Sequence, residues 1–281
     1  MYSSRLIRDR VFVILVVAMA LLGVAPLFHL FYTLITRGGR TILELGISFF
    51  VDIPALPGAE EVGGIAPALV GSFILVLISS LMSVPLALLV AIFLYEFRYT
   101  SVARITRVVV MSLLEIPTIL IGILVYAIVV VWHGEFSLFA GGIALAIVVL
   151  PYTITYIERA LDSVPLTYRE AGYAIGLNRL QVVFYVVAGV ARRSILAGII
   201  VGIAKSLGET APLLFTIGGA RNTININPLQ AGDAIPLLVF QFAMSPYKNW
   251  HDAAWGASLV LVLSLILAYT LAKLFVKDVR L

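Results

Sequence analysis

The sequence predicts an all-α integral membrane protein with six transmembrane helices and both termini in the cytoplasm. Three observations carry this reading. Hydrophobic residues make up 62% of the 281 residues and charged residues only 12%, whereas a soluble domain is about 45–50% apolar. With a mean hydropathy of +1.09, the chain has too little polar surface to cover itself in water, and its apolar runs approach the roughly 20 helical residues that cross a bilayer. Lys and Arg, finally, crowd alternate connections between those runs.

The runs lie at 11–35, 68–95, 108–131, 138–157, 195–217 and 253–272. Helices satisfy their backbone internally, which lipid demands. The alternating ten-residue segments of a membrane β-barrel are absent. The first run follows Arg5, Arg8 and Arg10 and carries Ala18 and Ala20 in an A-x-A pattern, as a signal peptide does. It stays apolar to Ile35, too long for a cleaved leader, and is read as a span. Pro26, Pro85, Pro117, Pro151 and Pro212 fall inside five of the runs. Each removes a helical hydrogen bond and predicts a bend. Proline is common in membrane helices generally; bent helices around a pathway are the sharper reading. Trp132, Trp250 and Trp255 sit near the ends of runs and read as interfacial anchors.

Arg98, Arg104, Arg107, the basic residues of 159–193, Lys273, Lys277 and Arg280 fall on one side with the N-terminus. Arg37, Arg40, Arg221 and Lys248 fall on the other. The richer side is cytoplasmic, so 96–106 and 159–193 face in, and 36–66 and 218–250 face out. The pI of about 9.4 then reflects topology and not nucleic acid. There is no cysteine, hence no disulfide and no thiolate metal site. His29, His133 and His251 lack metal-ligand spacing, and no metal site is expected. Three parts follow: residues 1–67, an N-terminal tail, first span and outer loop; 68–275, the remaining spans; and 276–281, a cytoplasmic tail.

Two polar stretches interrupt the pattern. The first is "PLTYREAGYAIGLNR", residues 165–179. Thr167 and Glu170 fit a capping box, and Gly176 suits the left-handed position that closes a helix. The spacing predicts a helix near 168–176 with Tyr168, Ala171, Gly172 and Ile175 on one face. So short a helix needs a surface to dock on, either its own bundle, the lipid interface or a partner. The second stretch is "IAKSLGETAPLLFTIG" in the fifth run. Lys205 and Glu209 are costly in a membrane, and their i, i+4 spacing lets them pair. With Ser206 and Thr210 they are the candidate pathway residues; a purely structural ion pair is the alternative. Glu115 is a third intramembrane charge, which could line the pathway or cap backbone freed by Pro117. The chain has no G-x-x-x-x-G-K-[ST] and no Gly-Lys pair, so it lacks a P-loop, and any ATP must be bound elsewhere.

Glu170, Ala171, Gly172 and Gly176 resemble the first half of the EAA loop of ABC importer permeases; residues 186–189 depart from the usual I-x-L-P. The string 208–212, "GETAP", resembles the fifth-span signature of phosphate-specific ABC permeases of the PstA type, with Lys205 where many relatives carry Arg. Residues 49–76 and 234–263 are similar to the outer loops of that family. The resemblance implies the type I ABC importer (MetI-like) bundle in a bacterial or archaeal inner membrane. It implies a coupling helix at 168–176, in which Thr167, Glu170, Ala171, Gly172 and Gly176 meet the ATPase. It implies a phosphate pathway at Lys205, Ser206, Glu209 and Thr210, and no catalysis by this chain. Implied partners are a second, PstC-type permease, two PstB-type ATPase subunits holding ATP and Mg, and a PstS-type periplasmic phosphate-binding protein. A permease for tungstate or molybdate, a proton-coupled secondary transporter and a structural membrane subunit are the competing readings.

Overall fold

A computed structural model describes residues 2–276. Its described residues are helical, with two isolated β-bridges and no strand. The expected tail beyond Val276 lies outside them.

α1 (Tyr2–Thr33) runs through a π-helical turn at Leu34–Gly38 into α2 (Gly39–Leu45), making one long apolar rod. Between Val11 and Tyr32 the large apolar side chains of α1 are all exposed, so it stands outside the bundle. Pro26 lies inside α1 without breaking it. α3 (Ser48–Val51) follows in a loop whose bridge Pro54–Gly63 closes it. α4 (Ala66–Glu96) starts with proline in its first turn, where the missing N–H costs nothing.

The third run bends at Pro117 as expected, but so sharply that it breaks. α5 (Ser101–Glu115) and α6 (Thr118–Val125) meet at a 98° bend. Ile116 is extended (φ −71°, ψ 126°) because Pro117 disfavours helical backbone at the residue before it. The expected single span 108–131 is therefore a broken one, and 96–106 is in part helix, opened by Thr100, whose hydroxyl accepts from Ala103 N at 3.2 Å. A π-helical turn at Tyr126–Val130 leads into α7 (Val131–His133), which Gly134 closes at φ +84°.

α8 (Leu138–Asp162) is the most enclosed span, capped by Ser137, whose hydroxyl accepts from Ala140 N at 3.1 Å. α9 (Leu166–Ala174) and α10 (Arg179–Gln181) follow; the latter continues through a π-helical turn at Val182–Val187 into α11 (Ala188–Leu207). This corrects the fifth run, expected at 195–217. The helix ends at Leu207, and Pro212 does not kink it but sits in the first turn of a separate 3₁₀ helix, Ala211–Phe215. α12 (Ile235–Ala243) is a short helix at the end opposite α9, and α13 (Lys248–Val276) completes the bundle. Among the described residues, five helices are long and apolar enough to cross a membrane, or six if the bent pair counts as one span.

Small residues let the spans touch. A Cβ on Gly202 of α11 would stand 2.3 Å from Thr153 Oγ1 of α8, and one on Gly198 would stand 2.9 Å from Tyr156 Cβ. Gly122 of α6 packs on the backbone of Pro212, so the two broken segments support each other. Irregular backbone at membrane depth is tolerated where protein buries it. At the α9 end Leu94, Ile157, Leu161, Val182 and Val187 form one core; at the opposite end Leu75, Leu138, Leu145, Leu213 and Ile217 form another. Trp250 ties the start of α13 to α12 and to the loop after α3: its ring stacks on Phe242 at 4.4 Å and its Nε1 donates to Ala55 O at 3.0 Å.

Gly202→Val should force α8 and α11 apart and lower stability by ~1–3 kcal/mol, as overpacking does. Gly189→Ala, on the same helix with nothing within 4 Å, should leave the thermal midpoint unchanged or slightly raised. Thermal unfolding of the two purified variants checks the contrast.

Candidate functional site

Two constellations emerge, one at the break in the fifth span and one around α9. At the break, the Lys205 ammonium pairs with the Glu209 carboxylate. Glu209 is buried beyond the helix end, so the pair closes across the C-cap rather than along a helical face. Lys205 also lies over the Tyr152 ring at 5.3 Å, which adds cation–π attraction. The carboxyl end of α11 favours a cation in its last turn. Thr210 is half-buried and precedes the 3₁₀ helix. Ser206 is buried, its hydroxyl donating to Ile203 O at 2.7 Å, and it lines a small interior gap with Leu75, Leu145 and Leu213. The structure thus brings Lys205 and Glu209 together and turns Ser206 into the bundle. Glu115 ends α5 on an exposed surface and makes no ion pair among the described residues.

Around α9, the predicted capping box does not form. Pro165 stands at the N-cap, with no side-chain cap, and places Thr167 inside the first turn where it cannot cap. Proline's fixed φ preorganises the first turn in its place. The capping box lies instead at α10, where Asn178 Oδ1 accepts from Gln181 N at 3.0 Å and Gln181 Oε1 accepts from Asn178 N at 2.9 Å. The expected closure by Gly176 does occur, at φ +84°. Leu177 N donates to Gly172 O at 3.2 Å and Gly176 N to Tyr173 O at 2.9 Å, the two bonds of a Schellman motif. Gly172 lets α9 lie close to the following helix: a Cβ there would be 3.0 Å from Val182 Cγ2. Thr167, Glu170 and Ala171 remain exposed, and so do Leu166 (71%) and Ile175 (76%). The outer face of α9 thus offers apolar side chains beside a free carboxylate.

Sequence reasoning missed what holds α9 in place. Glu96, last residue of α4, has a fully buried side chain paired with both Arg169 of α9 and Arg179 of α10. Arg169 Nη2 donates to Glu96 Oε1 at 2.9 Å and to the Tyr173 hydroxyl at 3.1 Å. Arg179 also lies over the Phe97 ring at 4.7 Å. Glu96 Oε2 has no hydrogen-bond partner. The available signal was a lone acid closing an apolar run, next to Arg98.

A second missed pair lies at the opposite end. Arg221 Nε donates to Asp233 Oδ2 at 3.1 Å, and Ala234 N donates to Oδ1 at 2.9 Å. Asp233 is fully buried. Burial pushes its carboxyl up to about 6, against the opposing pull of Arg221. No group of three or more His, Asp or Glu residues able to hold a metal occurs among the described residues.

Residues 66–281 match the family described as binding-protein-dependent transport system inner membrane component. A protein of Methanocaldococcus jannaschii described as a probable phosphate transport system permease protein PstA is 40% identical over 98% of this chain and 96% of its own length. A phosphate transport system permease protein PstA of Pasteurella multocida is 32% identical over the same shares. Among solved structures, an inward-facing MetNI methionine ABC transporter chain superposes with a TM-score of 0.62 at 19% identity, covering 76% of this chain and 96% of that one. That likeness is one of fold.

Glu96→Gln should strand two arginines and loosen α9. Amide exchange across 166–181 should accelerate about tenfold or more, the effect of ~1.4 kcal/mol of local opening. Glu44→Gln, which breaks only the exposed Arg40–Glu44 pair, should leave exchange and stability unchanged within about 0.5 kcal/mol. Asp233 makes a pH prediction of definite sign. Its folded value lies above its unfolded one, so the native state binds the extra proton between about pH 4 and 6. Its contribution to stability is full below that window and lost as pH rises through it. The thermal midpoint of the parent should therefore fall relative to Asp233→Asn as pH is raised from 4 to 7, and a parallel pair of curves would refute the linkage.

Proposed function

The chain belongs to the binding-protein-dependent transport system inner membrane component family, and on that premise we propose that it is a permease subunit of an ATP-driven importer of inorganic phosphate. What carries the reading is the Lys205–Glu209 pair, set where a span breaks inside an apolar bundle, in a chain whose near full-length relatives are described as phosphate transport permeases. Intramembrane charges of this kind mark ion pathways more often than scaffolding. The chain does no covalent chemistry; it forms half of a pathway that opens alternately to the two sides of the cell inner membrane.

Lys205 is the anion's attractor. At rest Glu209 neutralises it and lowers the cost of holding either charge in the membrane. During passage phosphate competes for the ammonium. Phosphate at neutral pH still carries a proton and can donate to the carboxylate, whereas sulfate carries none and meets only repulsion there. The pair thereby favours phosphate over sulfate. Ser206 and Thr210 are pathway neighbours in this reading, and Glu115, at the break in span three, is a further pathway candidate.

On the positive-inside argument the α9 end lies in the cytoplasm, with both termini. The exposed face of α9, with Leu166, Glu170, Ala171 and Ile175, docks in the ATPase, and Gly176 keeps its end shaped for that contact. The partners are a second related permease, two ATPase subunits that bind ATP and Mg, and a periplasmic phosphate-binding protein.

The test is ATP-driven phosphate uptake into vesicles by the reconstituted complex. Lys205→Met should slow uptake at least about tenfold, ~1.4 kcal/mol at the barrier, and more than the double variant with Glu209→Gln, which strands no charge. Glu209→Gln alone should narrow the preference for phosphate over sulfate. Normal uptake by Lys205→Met would make the pair scaffolding. Uptake that stops when the proton gradient is collapsed with ATP retained would make the protein a secondary transporter.

A further inference from the structure

A groove of about 490 Å³ runs between α8, α11 and α13 at the α9 end. Its lining includes Tyr156 and Arg159 of α8, Ser194 and Val201 of α11, and Tyr269 and Lys273 of α13. The same faces lead to the break. Lys205 lies one turn beyond Val201, over Tyr152, and Tyr269 is near enough to interact with it electrostatically. From Ser194 to Lys205 is about three turns, ~16 Å of rise.

The charge in this groove is one-sided. Arg159 and Lys273 line it, and among the described residues no carboxylate does. The acids nearest Arg159 on α8 are engaged elsewhere: Glu158 pairs with Arg107 of α5, and Asp162 Oδ1 accepts from Arg98 at 2.9 Å. Arg159 and Lys273 make no ion pair among the described residues. A guanidinium and an ammonium beside tyrosyl and seryl hydroxyls suit the tetrahedral oxygens of a phosphate group, the guanidinium by its planar fork and the ammonium as a point charge.

We propose that this groove is a phosphate-group site held by Arg159 and Lys273, in series with the Lys205–Glu209 pair. The group is either inorganic phosphate leaving the pathway or the headgroup of an anionic phospholipid seated between the spans. The first source rests on the transport reading above; the second does not.

The chain has no cysteine, so Ser194→Cys places a single thiol of this subunit in the groove. The complex carrying it is treated with an anionic and a cationic methanethiosulfonate. A site of unpaired cations should speed the anionic reagent about tenfold relative to the cationic one, and Arg159→Gln with Lys273→Gln should abolish that ratio. Arg159→Lys, which keeps the charge, should retain most of it and guards against misfolding as the cause. Inorganic phosphate slowing the modification in phosphatidylcholine vesicles identifies the free anion. Protection that appears only when phosphatidylglycerol is added, with inorganic phosphate inert, identifies the headgroup. A reagent ratio that the double variant leaves unchanged, with neither phosphate nor phosphatidylglycerol protecting, overturns the proposal. Phosphate uptake by the parent is followed in the same vesicles: its absence would overturn the transport reading while the protection result still decides the groove.

Discussion

A charge inside an apolar bundle must find a partner, and the architecture of this protein is organised around that constraint. Ionised groups lose several kcal/mol of hydration when buried and recover it only through close, hydrogen-bonded counter-charges. The chain meets this at three levels along its length. Glu96 ties the α9–α10 connection to the end of α4. Lys205 and Glu209 neutralise one another at the break in the fifth span. Arg221 and Asp233 pin the loop ahead of α12. The first ties a long helix to the short helices of the α9–α10 connection, the second closes across the end of α11, and the third joins two points of one irregular segment.

The same constraint explains the backbone. Helices break at 116–117 and at 208–210, and the broken pieces lean on one another through Gly122 and Pro212. A break frees backbone groups, and the pieces survive in an apolar setting because protein covers them. Elsewhere the spans are drawn together by Gly198 and Gly202 against α8, since lipid gives apolar side chains no reason to prefer each other. α9 is held by packing at Gly172 and by the Arg169–Glu96 pair.

Much of this was legible before any coordinates. The spans could be counted, because a bilayer sets a length that composition can be read against. Gly176 was found because only a left-handed helix end asks for glycine there. Lys205 and Glu209 stood out because ionisable residues are rare in such runs. The errors are of one type. Local spacing puts a capping box at Thr167 and Glu170, while Pro165 sets the helix start two residues earlier. Pro117 and Pro212 predict bends in spans three and five, but the full breaks there are not legible, because hydropathy averages over a window and does not see a 98° turn.

By itself the sequence determined that the chain lives in a membrane, how many apolar runs it has, where its polar islands fall and which charges sit among apolar neighbours. Those properties are sums over local composition, and spacing along one chain is enough to read them. Only the tertiary structure decided which charges meet. Glu96 is 73 residues from Arg169 and 83 from Arg179, and no local pattern encodes that meeting. The groove with Arg159 and Lys273 likewise exists only because α8, α11 and α13 pack face to face. Burial and pairing are properties of surfaces brought together, so they appear only once the helices have chosen their neighbours.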